Sequence, residues 1–296
     1  MIKLILRRNL LYLLGFFLSF LIRRIISEII DNVFNLNAPY IYLILMTIGV
    51  IIGGATFYYY QISNWRKKSK TKYFGIDIIQ HKIHDKMADG KLKQILLILL
   101  AGFFDFFEFV IITLYLPNVA NISPTINARL GCLVAITSAL ICFFAFGFKV
   151  GAHHKCSLIC LSIFFIITLV LELLMKQDEQ SWGLFIFGLF LVCIYLINIS
   201  FNDCIERYLA HYNFLNPFLI LAGEGIFEFI LAIIFSINKD PFIGIIKEYE
   251  ENTAEKFVLL VFLLIIYLLL SVIINAYKVY YNVIYTPVAS SLTEFF

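Results

Sequence analysis

The sequence predicts an all-α protein that crosses a membrane several times. Three observations predict it. The 296 residues are 61% hydrophobic with a mean hydropathy of +0.91, more apolar surface than a soluble globule of this size could hide. Only 15% of residues are charged, against roughly 25% in an ordinary soluble domain. The apolar residues gather into continuous runs of about 20, the length a helix needs to cross the hydrocarbon core. Barrel strands would alternate and would be far shorter. The same composition excludes a disordered chain, a collagen-like repeat and a disulfide scaffold. The net charge of +3 is too small to suggest nucleic acid.

Eight complete runs are predicted at 9–30, 39–61, 95–116, 124–147, 156–175, 182–201, 214–237 and 257–280. A ninth begins near Pro287. The first run is followed by Arg23 and Arg24. A signal peptide is its rival reading, but no small-residue cleavage pattern follows, which favours an uncleaved helix. Its arginines are expected to snorkel or to pair with Glu28 or Asp31. The second run carries Gly49-x-x-x-Gly53 and Gly54, a small-residue stripe for helix packing. At the short turn that leads into the fifth, His153, His154, Cys156 and Cys160 lack a nearby carboxylate, and adjacent histidines point apart, so no metal is expected there. In the seventh, Gly223 and Gly225 flank Glu224 and admit a close backbone or a ligand.

All six prolines fall at the ends of runs or in the connections between them, as expected of a residue disfavoured inside a helix. Asn37, Ser123, Asn216 and Thr286 precede four of these starts as candidate caps. The six cysteines (132, 142, 156, 160, 193 and 204) form no CxxC pair, so free buried thiols are expected. The sequons at Asn121 and Asn198 are poor glycosylation sites, since Pro124 follows the first and the second lies inside the sixth run.

Segment 62–94 holds nine Lys or Arg and three acids, so it is expected on the cytosolic side. Two crossings precede it, which puts the N-terminus in the cytosol, in an endomembrane or plasma membrane. Within it Phe74, Ile78, Ile79, Ile83 and Met87 recur at helical spacing, as in an amphipathic helix on the inner leaflet or a solvated linker.

Two pairs of helix starts read alike. Ser123-Pro124 opens the fourth run and Thr286-Pro287 the ninth; Asn37-Ala38-Pro39 opens the second and Asn216-Pro217 the seventh. Each pair is five helices apart. Helix starts share Pro and caps for local reasons, but two pairings at one spacing suggest a five-helix unit repeated once in opposite orientation. The halves are 1–176 and 177–296, the second incomplete. Ten helices would then be expected. The chain stops partway into the ninth, which is expected to reflect truncation or the loss of a helix and a half.

The residues Ala101-Gly102-Phe103-Phe104-Asp105, Ile122-Ser123-Pro124, Glu206-Arg207-Tyr208, Asn216-Pro217-Phe218, Glu224-Gly225-Ile226-Phe227, Asn275-Ala276-Tyr277 and Tyr285-Thr286-Pro287 through Thr293 carry a family likeness. In these the chain resembles the drug/metabolite transporter superfamily, of the EamA-type and solute-carrier-35-like branch. The resemblance covers most of the chain from the third run onward. It implies a ten-helix inverted-repeat carrier with both ends in the cytosol, in a branch that includes exchangers of nucleotide sugars. Arg23-Arg24 and the missing end depart from that pattern.

A charged side chain at the bilayer centre costs a few kcal/mol or more, so each needs a reason. Asp105 and Glu108 share a face of the third run, and Glu224 and Glu228 a face of the seventh. Asn127 and Arg129 stand at the start of the fourth, and Asn275 near the end of the eighth. These seven are the candidate substrate- or ion-binding residues. Acids there could take a cation or proton and Arg129 an anionic group; a helix-locking pair of Arg129 with Asp105 or Glu108 is the plainer alternative. No Ser-His-Asp ordering, P-loop or GxGxxG supports an enzyme, and no cofactor is expected. The expected partners are the bilayer and a small polar metabolite, with a homodimer left open. A non-transporting scaffold is the alternative, favoured by the missing end as the carrier is by the buried acids.

Overall fold

The computed structural model describes residues 2–34, 39–68, 90–112, 115, 130–145, 152–174, 181–213, 215–237 and 254–284. Among them are eight helices and no strand. They are α1 (Ile2–Phe34), α2 (Pro39–Lys68), α3 (Lys91–Val110), α4 (Cys132–Phe144), α5 (Ala152–Leu174), α6 (Trp182–His211), α7 (Pro217–Ser236) and α8 (Ala254–Ile284). Five stretches are long and apolar enough to cross a membrane: Tyr40–Tyr60, Lys155–Leu174, Trp182–Ala210, Pro217–Ser236 and Ala254–Lys278. The described part of α4 is shorter. α3 carries Lys91, Lys93, Asp105 and Glu108, and α1 carries Arg23, Arg24, Glu28 and Asp31. Residues 69–89 of the basic segment 62–94, the residues Pro124, Asn127 and Arg129, and the ninth run lie outside the described residues.

The apolar faces point both ways, which fits an integral membrane protein. On α8, Leu260, Leu264, Tyr267, Ser271 and Ile274 form a buried stripe, while Val258, Phe262 and Leu269 on the other side are more than half exposed. A surface helix in water would show polar residues there. α5 goes further: Ile159, Ile163, Phe164, Ile166 and Ile167 are each more than half exposed. Such contiguous apolar surface suits lipid and not water.

The chain divides into two compact units, residues 1–80 with 216–280 and residues 81–215 with 281–296. The first holds α1, α2, α7 and α8; the second holds α3 to α6. Each unit thus takes helices from both sequence halves, 1–176 and 177–296.

In the first unit, α2 is the spine. It runs antiparallel to α7, with Tyr40 beside Phe235 at one end and Phe57 stacked on Phe218 at the other. The glycines of α2 face two neighbours. A Cβ on Gly54 would lie 2.5 Å from the backbone N of Ala222 on α7, and one on Gly49 would lie 2.9 Å from Ser271 Cβ on α8. Gly225 of α7 answers in kind, since a Cβ there would lie 2.9 Å from the backbone N of Ile51. The small-residue stripe is therefore a packing device, and Gly225 admits a helix backbone. Lipid offers no hydrophobic drive for helix association, so dispersion contacts at close range take over. α1 joins through the Tyr42 hydroxyl, which donates to Asp31 Oδ1 at 2.9 Å, and through Arg23, whose guanidinium lies 5.8 Å from the Tyr267 ring centre. Arg24 pairs with Glu28 at 3.4 Å, as one of the expected options had it.

In the second unit, α6 is the spine, with α3 on one side and α4 on the other. α3 and α6 run antiparallel. Gln94 at the start of α3 bonds Asn213 just beyond the end of α6, and Phe104 further along stacks on Phe201. The α4–α6 seam joins Val134, Ser138 and Cys142 to Leu196, Ser200 and Cys204. The Ser200 hydroxyl bonds Thr137 and lies within 3.1 Å of the Val134 carbonyl. An apolar core of Ile111, Leu130, Val134, Leu189, Val192 and Ile199 fills in below, with Phe165 and Leu169 of α5 packed on it.

Local signals set the helix starts. The Ser181 hydroxyl accepts from the Leu184 N–H at the start of α6. Asn216 Oδ1 accepts from the Phe218 N–H at 2.9 Å, with Pro217 in the first turn of α7. That is the cap expected from the sequence. The end of α6 differs from expectation. The sixth run is predicted to end at 201, yet the helix continues to His211. No Pro or Gly stands between Gly188 and Pro217, so nothing breaks it earlier.

The glycine contacts give a prediction. Gly54→Leu should destabilise the protein by about 2 kcal/mol, in the range for overpacking, because the Ala222 backbone cannot yield. Gly183→Ala, where a Cβ would meet nothing within 4 Å, should leave stability unchanged or slightly raised. Thermal unfolding in detergent compares the two; equal melting temperatures would refute the packing role of Gly54.

Candidate functional site

The polar half of α6 builds the site. Once the helix continues past 201, Asn198, Asn202 and Glu206 recur every four residues and fall on one face, with Asp203 beside them. All four are buried, and so are Asp105 and Glu108 of α3. The decisive contact joins the helices: Asn202 Nδ2 donates to Asp105 Oδ1 at 3.1 Å. Asp105 lies in the last third of α3, between one and two turns before its end at Val110.

Four carboxyl groups in one antiparallel helix pair are costly in an apolar medium. The amide of Asn202 offsets part of that cost for Asp105. Its own Oδ1, and the Nδ2 of Asn198 one turn earlier, have no hydrogen-bond partner among the described residues. The site therefore keeps one acceptor and one donor in reserve beside its acids, which is what an arrangement that binds a polar guest requires. At the α6 end, Lys93 lies 5.7 Å from the Tyr208 ring centre, and Tyr208 stacks on Tyr212. These contacts fix the register of α3 on α6.

The first unit holds a second group of predicted residues. Glu224 and Glu228 on α7 are 1% and 0% exposed. Glu228 shares its face with Leu221 and Gly225, the face that meets α2 at Val50. Asn275 of α8 is buried, and its Nδ2 has no partner among the described residues. Of the seven residues predicted, the structure thus places Asp105 and Glu108 together in one unit, and Glu224, Glu228 and Asn275 in the other. Asn127 and Arg129 are outside the described residues, so the expected Arg129 pairing has no geometry here.

Sequence reasoning missed Asn198, Asn202, Asp203 and Glu206. The signal was present in their spacing. Four polar residues over nine positions at helical intervals argue for a continuing helix with a polar face. Ending the run at its last apolar stretch hid them. No group of three His, Cys, Asp or Glu among the described residues is arranged to hold a metal ion.

Comparison with known proteins found no matching family model and no matching curated protein.

The Asp105–Asn202 bond is testable by a double-mutant cycle. Asn202→Leu removes a donor from a buried carboxyl group and should cost about 1–3 kcal/mol. Asp105→Leu strands the Asn202 amide and should cost a similar amount. The double variant should lose clearly less than the sum, because neither partner is left behind. Strict additivity of the melting shifts would show that the two residues are not coupled.

Proposed function

We propose that the chain is a secondary carrier of the drug/metabolite transporter type, an inverted repeat of five helices that moves a small polar metabolite by alternating access. Nucleotide-sugar-like solutes are the first class to test. The carrying observation is a match of register between contacts. Tyr40 and Phe218 each stand one residue after the proline that opens their helix, and Phe57 and Phe235 each stand eighteen after it. Exchanging α2 with α7 by that register turns the Tyr40–Phe235 contact into the Phe57–Phe218 contact. The two helices run antiparallel, as equivalents related by an axis in the membrane plane must.

A second match involves other helices. Arg23 stands sixteen residues before Pro39 and Phe201 sixteen before Pro217; Tyr267 stands twenty before Pro287 and Phe104 twenty before Pro124. The Arg23–Tyr267 contact of the first unit therefore has the register of the Phe104–Phe201 stack of the second.

Transport itself is supported by the acids. Buried carboxyl groups within apolar helices are expensive and are ordinarily retained for ions, protons or substrates. In an inverted-repeat carrier they belong at mid-depth in the two halves. Asp105 and Glu224 are the principal members, the first held by Asn202 and the second flanked by the close contact of Gly225. Protein in liposomes preloaded with small polar metabolites, nucleotide sugars among them, should exchange at least one of them. Asp105→Asn or Glu224→Gln should slow that exchange about tenfold or more, equivalent to ~1.4 kcal/mol or more in the barrier, and flatten its pH profile. Unchanged rates and profiles in both variants would make the acids structural. If no solute moves at all, a non-transporting membrane subunit replaces the carrier reading.

The orientation is part of the proposal. The nine basic residues of 62–94 support a cytosolic position for that segment and for the N-terminus. With the native cysteines removed, a single Cys at position 250 should react with an impermeant maleimide added to sealed cells, and one at position 70 should not. Outside labelling at 70 would reverse the topology.

A further inference from the structure

We propose that Cys142 of α4 and Cys204 of α6 form a reversible dithiol–disulfide pair that fastens the two helices together. Their sulfurs are 3.5 Å apart, although 62 residues separate them in the chain. A disulfide needs the sulfurs at about 2.05 Å, so they must close by roughly 1.5 Å, within the reach of side-chain rotation. The surroundings hold both thiols in place. Cys204 Sγ lies 3.6 Å from the Ser138 carbonyl and donates to it, and Ser138 is one turn before Cys142 on the same helix. One turn before Cys204, Ser200 is tied to Thr137 and to the Val134 carbonyl. The seam is therefore in register over the turn that leads to the sulfur pair on each helix.

The two thiols differ in access, and that assigns their roles. Cys142 is partly exposed, whereas Cys204 is 1% exposed. A small membrane-permeant disulfide reaches Cys142 first. The Cys142 sulfur attacks one sulfur of that reagent and forms a mixed disulfide with it, while the reagent's other sulfur leaves as a thiol with the Cys142 proton. Cys204 then attacks the Cys142 sulfur, and the second half of the reagent leaves as a thiol with the Cys204 proton. Two S–H bonds and the reagent's S–S bond are exchanged for one protein S–S bond and two small thiols, so the reagent is the oxidant. A reducing thiol reverses both steps.

The consequence lies next to the polar site. Cys204 follows Asp203 and stands two residues after Asn202, the residue bonded to Asp105. Oxidation fixes this stretch of α6 to α4, and reduction releases it. The pair stands on its own geometry and does not depend on the carrier reading.

The test uses a protease site inserted between α5 and α6, within 175–180, so that cleavage separates Cys142 from Cys204. After treatment with dipyridyl disulfide and cleavage, the protein should run as one band without reductant and as two with it. Cys142→Ser and Cys204→Ser should each give two bands throughout, while Ser at 132, 156, 160 or 193 should keep the single band. Two bands from the oxidised parent, or one band from either Cys142→Ser or Cys204→Ser, would overturn the proposal. Should the insertion disturb folding, the oxidised uncut protein is digested and weighed. The linked peptide pair bearing Cys142 and Cys204 should be present, and its absence overturns the proposal equally.

Discussion

Hydrocarbon supplies no hydrogen bonds, and the arrangement of this protein follows from that. Each polar side chain on a membrane helix must meet another part of the chain. The second unit shows how. α6 turns Asn202 towards α3 and Ser200 and Cys204 towards α4, so these three polar groups work at helix seams. Its lipid-facing side can then be wholly apolar, as Ile186 and Phe190 are. A single helix thereby organises its neighbours, because its polar residues fall on the two edges that those neighbours cover.

The first unit meets the same constraint with other means. Where α2 passes α7 and α8, the contact consists mainly of glycine against backbone. Close approach multiplies dispersion contacts, each of which is worth only ~0.1–0.2 kcal/mol. Aromatic pairs close the two ends of the α2–α7 contact and keep its register. Thus one unit is joined chiefly by small residues and the other by hydroxyl, amide and thiol groups. The second leaves bonds that can be exchanged for others, which suits a segment that holds acids and a sulfur pair.

Buried carboxyl groups fit neither solution, and this makes them informative. Glu224 and Glu228 are as fully buried as the best-packed leucines, and Asp105 nearly so. Packing alone would be served better by apolar residues of like volume, since desolvation makes a buried charge a poor source of stability. Packing therefore does not account for their presence beside the close contact at Gly225 and the amide of Asn202.

Much of the fold was legible in the sequence because its signals are local. The apolar runs, the cap at Asn216 with Pro217, and the glycine stripe of α2 each act within one or two helical turns. They determined the helical class, most helix positions and the packing role of Gly49 and Gly53. The acids Asp105, Glu108, Glu224 and Glu228 were legible too, as charges in an apolar setting. Partners were not. That Asn202 answers Asp105 across 97 positions, that Cys142 meets Cys204, and that Gly54 faces Ala222 all depend on which helices lie side by side. The extent of α6 lay between these cases, since its polar turn was readable by spacing but not by hydropathy. The sequence by itself determined where helices form and which residues cannot face lipid. Only the tertiary structure decided what those residues face instead, because in a membrane that choice is made by helix neighbours far apart in the chain.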